Sequence, residues 1–402
     1  MSKKECPDCG PLPTDHFSSW MNDLMNMVTL RLNLVFRKRN GRESRLGKFL
    51  SSAALKILEA GRVISFVTDI DRSKIYNRTL IVFDEAKKRG IKTGAVLIFG
   101  RYNNQFFADI DGRRIYFEGL PMGRESIKKE NFFIDDKARV KKILAQNGFP
   151  VAEGKSFFAK WRGRRYAKKL GWPIAVKPRW GSISRHIFLN INDEKNLRRA
   201  IKSVKKICPF YIIERFVDNA LVHRATLVDF KVGGVARRVP ANVTGDGIKT
   251  VKELVEIKNS YPWRGEPKQK DATYLKIVLD QTTDKLLMEK NLTLESVLPA
   301  GEKIFLQEKI ILDLGADLID ITDDCHPDNI KMFEEIARIF DAKILGIDFL
   351  APDISESWKE QRCAILELNS LPFIDMHHFP LEGQPRNLAA MVWDMVLQEH
   401  KH

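Results

Sequence analysis

The sequence predicts a mixed α/β (α+β) fold spread over more than one domain, and three observations carry that reading. Residues 63–69 (VISFVTD) are a continuous apolar run of strand length, followed by a helix-patterned stretch over 77–89 and a second strand over 94–99. QFFADI and RRIYFEG then flank Asp111-Gly112, and alternating segments around an Asp-Gly pair predict a tight hairpin. From residue 135 to the C-terminus, short strand-like and helix-like stretches keep alternating. At 402 residues, the chain is also too long for one comfortable core.

Upstream of the first strand, residues 16–39 read as a basic amphipathic helix, with Trp20, Leu24, Met27, Leu30 and Leu34 at helical spacing. A break at Asn40-Gly41 separates it from a second helix over 44–60. Both read as packing elements; a membrane-surface or dimer contact is the alternative for the first, which leaves a homo-oligomer open. Residues 135–147 form a helix stopped by Gly148, with Pro150 beyond it. Between 241 and 283 come the turn TGDG, a charged helix over 251–258, and YPWRGEPKQKD. That last stretch is too polar for a core and reads as an insertion flanking a site.

Composition narrows the function class. A 44% hydrophobic and 30% charged chain is an ordinary globular protein. No stretch reaches the ~18 uncharged apolar residues of a membrane span, and the first residues lack the apolar core of a signal peptide. The cytoplasm is therefore the expected compartment. Sixty-seven Lys and Arg against 52 Asp and Glu leave a net charge of +15, which suits anionic partners. The densest basic run, 37–45 (RKRNGRESR), has no nucleic-acid motif beside it and reads as a solvated face, so nucleic acid is not the expected partner. Of five cysteines, Cys208, Cys325 and Cys363 stand alone as reduced thiols. Cys6 and Cys9 form a CxxC with His16 downstream, but a second CxxC or a spaced His pair is missing. The terminus is therefore read as unliganded.

Three features carry chemistry. Lys177 ends the apolar strand of PIAVKPRWGSISRHIFLNI, before Pro178 and the flexible Gly181, where an ammonium can hold a phosphate as a point charge. Alone, this pattern fits many surface hairpins. Glu214 ends the strand IIERF, where a carboxylate can accept from the amine of an adenine. The strongest signal is the pair LGIDFLAPD and AILELNSLP, apolar strands interrupted by acids. Glu367 and Asn369 are two apart and share a strand face, and Asp348 can sit opposite them. Two carboxylates and an amide oxygen suit Mg²⁺; the competing reading is an acid pair neutralised by Arg or Lys.

Taken together, Lys177, Glu214 and the Asp348/Glu367/Asn369 set resemble the ATP-grasp superfamily, in which two lobes close on ATP. The likeness runs from about 135 to 395 and is greatest to the ATP-grasp modules of cyanophycin synthetase and of bifunctional glutamate–cysteine ligase/glutathione synthetase. It rests on the phrases DDKARVKKILAQNGFPVAEG, AVKPRWG, ARRVPANVTGDGIKTVKELVEIKN, LTLESVLPAGE, IDITDDCHPDN, GIDFLAPDIS, ILELNS and MHHFPLEGQPRNLA. The resemblance implies an N-terminal helical extension (1–61), a pre-ATP-grasp domain (62–130) and an ATP-grasp domain (131–402). Its N-lobe would span about 131–213 and its C-lobe about 214–402, with an insertion over about 241–300.

The resemblance also implies roles. Lys137 and Lys177 meet ATP, with Gly181 and Ser184 in the loop over the phosphates. Glu214 and the backbone near Phe216 meet adenine. Arg238 faces the transferred phosphate, and Asp348, Glu367 and Asn369 hold Mg²⁺, with Mn²⁺ as a substitute. His377, Arg386 and Asn387 belong to the closing segment. Some positions depart from the family. Ser184 and His186 stand where later loop glycines are usual, and Asp218 substitutes for a ribose-binding acid replaced by Ala220, Leu221 and Val222. Gln307, Glu308 and Lys309, followed by ILDLGAD, replace the family's arginine and acceptor loop, so Lys309 is the second candidate catalytic residue. The implied activity joins a small-molecule or peptide carboxylate to an amine or amino acid through an acyl phosphate, releasing ADP and phosphate. Two alternatives stay open: a nucleotide-binding protein without catalysis, and a ligase whose acceptor is a peptide or protein tail.

Overall fold

A computed structural model describes residues 6, 15–21, 58–123, 129–181, 186–218, 220–266, 269–308, 310 and 314–401. Residues 16–21 and 58–60 are helical; the rest of the two N-terminal helices, the basic run 37–45, Cys9, Ser184 and Lys309 lie outside the described residues.

The first sheet is an antiparallel meander of β1 (Ile64–Val67), β2 (Lys92–Ile98), β3 (Arg101–Ile110) and β4 (Arg113–Glu118). Asp111 and Gly112 turn the β3–β4 hairpin with φ of 47° and 76°, the two left-handed residues of a turn whose twist matches the strands. Helix α1 (Asn77–Lys88) buries Leu80, Val82, Phe83 and Ala86 against this sheet, with Phe83 edge-on to Phe106 at 5.5 Å.

Next come α2 (Lys137–Gln146), β5 (Gly154–Phe157), α3 (Lys160–Leu170), β6 (Ile174–Pro178), β7 (Phe188–Ile191), α4 (Glu194–Val204) and β8 (Tyr211–Arg215). Their strands form a second antiparallel sheet in the order β5-β8-β6-β7. Leu197, Ala200, Ile201 and Val204 recur at helical spacing on α4, so its buried stripe covers β6.

A larger sheet follows, built from β9 (Leu221–Val228) and β10 (Lys231–Val239). Between β10 and its later strands an inserted unit holds β11 (Asn242–Thr244), α5 (Val251–Asn259), β12 (Arg264–Gly265), β13 (Tyr274–Leu275), α6 (Gln281–Met288) and β14 (Lys303–Phe305) around a small core. Then come β15 (Asp317–Asp320), α7 (Pro327–Phe340), β16 (Ile344–Ala351) and β17 (Ala364–Asn369), giving the antiparallel order β15-β10-β9-β16-β17. One face of this sheet packs Ala225, Leu227, Val235, Leu345 and Ile347 on Met332, Phe333, Ile336 and Phe340 of α7. The last helix, α8 (Leu388–His400), crosses back to the first sheet. Its Trp393 is wholly buried there and donates to the Val82 carbonyl at 2.8 Å, so the first core joins the first sheet and α1 to the last helix.

Part of the stretch YPWRGEPKQKD is buried in spite of its polarity. Arg264 is buried and ion-paired to the buried Asp317, while Trp263 packs on Phe379. A guanidinium whose two terminal nitrogens meet the Leu275 carbonyl and the Asp317 carboxylate is compatible with burial, and a carboxylate 53 residues away in sequence leaves no local sign of it.

Candidate functional site

Period-two geometry builds the site. Across the five-stranded sheet, Glu367 lies opposite Asp348, Asp348 opposite Arg224, Arg224 opposite Ala236 and Ala236 opposite Asp320. Asn369 pairs in register with Gly346, two residues from Glu367 and on the same face. One row therefore carries two of the three expected metal ligands, and the third is next to it. Arg238, two residues beyond Ala236, joins them at 3.7 Å from Asp348.

The second sheet supplies the opposing side. Lys177, on the last turnward residues of β6, lies 2.7 Å from Glu214 on the neighbouring β8, and its Nζ is 3.5 Å from the Leu366 carbonyl of β17. Helix α2 points two lysines at the same place. Asp136 caps it and forms a two-pronged ion pair with Arg179, fixing the helix start against the end of β6. Lys137 then donates to the Gly181 carbonyl at 2.5 Å and pairs with Glu367 at 3.0 Å. One turn on, Lys141 pairs with Glu214 and donates to the Ala152 carbonyl at 2.9 Å.

The two sides share an unbalanced set of charges. Lys137, Lys141, Lys177, Arg224 and Arg238 meet Glu214, Asp348 and Glu367, five cations against three acids, a surplus of two. None is well solvated: Lys137, Lys177, Arg224, Glu214 and Asp348 are each under 9% exposed. Burial alone would raise the Glu214 carboxyl, but Lys177 and Lys141 outweigh it and hold it at about 2. Burial opposes the Asp348 charge too, and Arg224 and Arg238 pull its carboxyl well below the usual range. Desolvation pushes the Lys141 ammonium down despite its acid neighbour. Two polar atoms here are buried without a partner, Arg238 Nε and Asn369 Nδ2.

The expected metal ligands thus converge, and each acid also has a basic partner. Arg224 grips Asp348 with two hydrogen bonds of 2.5 and 2.8 Å, and Glu367 has Lys137. A carboxylate offers about four lone-pair positions, so Asp348 retains acceptor capacity beyond the arginine fork. Glu367 is the more accessible of the two acids, its side chain 22% exposed against 5% for Asp348. An all-oxygen group of Glu367, Asn369 and Asp348 fits a hard divalent cation.

Other expected residues sit differently. Both Glu214 oxygens are occupied by lysines, so it is the counter-ion of Lys141 and Lys177 rather than an open acceptor. The Phe216 N–H donates to the Pro173 carbonyl. Asp218 is exposed and meets Arg362 at 3.2 Å, across from the loop between β16 and β17. His377 is buried with Nε2 on Thr226 at 2.8 Å, fitting over Gly234, where any Cβ would lie 2.6 Å from its ring. Arg386 pairs with Asp320 and Asp323, and Asn387 caps α8. These three brace the fold around the site.

Sequence reasoning missed Lys141 and Arg224. Lys141 carried a signal, being one helical turn from Lys137 on the same face. Arg224 carried a weaker one, a cation inside the apolar run LVHRATLV.

No family model matches the chain. A cyanophycin synthetase from Crocosphaera subtropica is 37% identical over 265 residues, covering 65% of this chain and 30% of that protein. The glutathione biosynthesis bifunctional protein of Listeria innocua is 31% identical over 334 residues, covering 80% of this chain and 41% of that protein. This chain therefore spans less than half the length of the relatives it matches. The crystal structure of a bifunctional glutathione synthetase from Pasteurella multocida superposes with a TM-score of 0.65 at 22% identity, over 82% of this chain and 44% of that one, a likeness of fold. By sequence relationship and by fold, the chain belongs to the ATP-grasp superfamily.

Proposed function

We propose that this chain is an ATP-dependent carboxylate–amine ligase, forming an amide or peptide bond through an acyl phosphate and releasing ADP and phosphate. The observation that supports this most is the buried surplus of two positive charges between the sheets, with Arg238 Nε unpartnered beside it. Uncompensated buried cations are costly, and a polyphosphate is the ligand that relieves them.

On this reading Lys137, Lys141 and Lys177 take up charge on the phosphates. Arg238 faces the terminal phosphoryl group, with Lys309 assigned to the acceptor side from the sequence alone. A carboxylate oxygen attacks the terminal phosphorus and its bond to the ADP oxygen breaks. The amine then attacks the acyl carbon, phosphate leaves and the nitrogen loses a proton. Such transfer depends chiefly on positioning and on charge already in place, which buried lysines and arginines provide. Glu367, Asn369 and the remaining lone pairs of Asp348 would hold Mg²⁺ or Mn²⁺, which would supply positive charge to offset that of the phosphates. Nucleotide entry requires Lys137 to leave Glu367, and Lys177 to leave the Leu366 carbonyl, so the two sheets must part and reclose. Reclosure shields the acyl phosphate from water. The division at about residue 130, and that between lobes at about 213, belong to the same proposal.

A screen of ADP release with ATP and Mg²⁺ over amino acids and short acidic peptides, followed by product mass, tests the reading. The expected result is amine-dependent ADP release with a product of amide mass, lost in Lys177→Ala and Glu367→Gln chains that still fold. Nucleotide binding without turnover across the panel, or full activity in both variants, overturns it.

A further inference from the structure

We propose that Cys6, His16 and His186 bind a zinc ion that fastens the N-terminal segment to the second sheet. His186 lies 170 residues beyond His16 in sequence, yet the ligand atoms of all three residues fall within 4.8 Å of one another. Cys6 Sγ is 4.0 Å from His186 Nε2, and the His16 and His186 rings meet edge-on with centroids 5.6 Å apart. Zinc holds sulfur at about 2.3 Å and nitrogen at about 2.0–2.1 Å, so tetrahedral geometry spaces such atoms roughly 3.5 Å apart. Small side-chain adjustments bring the three atoms onto one ion.

Each histidine is positioned by its surroundings. His186 is 2% exposed, and its Nδ1 lies 2.8 Å from the hydroxyl of the buried Ser203 on α4. With Nδ1 donating to Ser203, Nε2 would present its lone pair to Cys6, 4.0 Å away, the outer-partner arrangement that orients zinc-bound imidazoles. Asp15 caps the turn that starts at His16, accepting from the Phe17 and Ser18 N–H groups at 3.1 and 3.2 Å. Cys6 and His16 are half-buried, leaving a path for the ion. The sequence supplies Cys9 three residues after Cys6, the spacing of paired zinc thiolates, and Cys9 lies outside the described residues. The missing ligand that made the terminus read as unliganded is His186, 180 residues from Cys6.

The consequence is mechanical. His186 stands five residues beyond Gly181, whose carbonyl takes the Lys137 ammonium. Zinc here would hold the chain after Gly181 at one end, and it would make that hold depend on reduced thiols.

Metal content of the full chain, purified without chelator and dialysed, decides the matter. About one zinc per chain is expected, and the cobalt-exchanged protein should show a sulfur-to-metal charge-transfer band with the intense visible bands of a tetrahedral site. Cys6→Ser and His186→Ala should both lose the zinc. Ser203→Ala should weaken it about 10–100-fold in a chelator competition. A wild-type chain that binds no zinc overturns the proposal. So does a His186→Ala chain that keeps its thermal melt and its zinc, because the N-terminal thiols would then be chelating without His186.

Discussion

The two faces of the five-stranded sheet come from the same strands and obey different rules. On one, Leu227, Val235, Leu345 and Ile347 meet Phe333, Ile336 and Phe340 of α7 and are closed from water. On the other, alternate residues of those strands place Glu367, Asp348 and Arg224 in one row, facing lysines from the second sheet. The apolar face is satisfied by what it touches. The polar face pairs each acid and still has two cations left over, with Arg238 Nε and Asn369 Nδ2 unpartnered. A core completes itself, whereas a binding surface is incomplete until its ligand arrives.

Substitutions should separate the two faces. Phe333→Ala, which removes a wholly buried ring packed edge-on to Phe349 at 5.5 Å, should cost about 3–5 kcal/mol of stability in a denaturant titration. Glu367→Gln should lower that titration by much less than Phe333→Ala, because the Glu367 side chain is partly exposed and Lys137 keeps the Gly181 carbonyl, while removing ligase turnover. A polar-face substitution that unfolds the chain while Phe333→Ala is silent would reverse the comparison.

A smaller effect sharpens it. Asp375 is 1% exposed, one of its oxygens has no partner, and no cation lies within salt-bridge distance among the described residues. Desolvation pushes its carboxyl up to about 6, against the pull of the Thr273 hydroxyl and the more distant Arg78. The folded state then holds this proton more tightly than the unfolded state. Stability from this group is complete below pH about 4 and is lost as pH rises through about 6. Asp375→Asn should therefore raise stability at pH 7 by up to about 3 kcal/mol, with the gain vanishing near pH 4. Melting curves of both chains from pH 4 to 8 check this, and a gain that does not vary with pH contradicts it.

Local features are legible in the residues themselves. Asp111-Gly112 specifies its hairpin, and α1 and α5 fall within a residue of the stretches their periodicity marks. Glu367 and Asn369 share a face because a strand has a period of two. Pairing over distance is not legible in this way. Arg224 meets Asp348 across 124 residues, Lys141 meets Glu214 across 73, and Trp393 reaches Val82 across 311. Strand order and helix docking decide such contacts, and no local period encodes them. Arg264 misleads for the same reason, since its burial depends on Asp317.

The claim beneath this account is that the spare positive charge between the sheets is a seat for a polyphosphate. Calorimetric titration of ATP, ADP, AMP and adenosine in the presence of Mg²⁺ tests it most directly. Affinity should fall stepwise as phosphates are removed, and Lys177→Ala should flatten the series. Equal affinity for ATP and adenosine, or no binding by any of them, would contradict it.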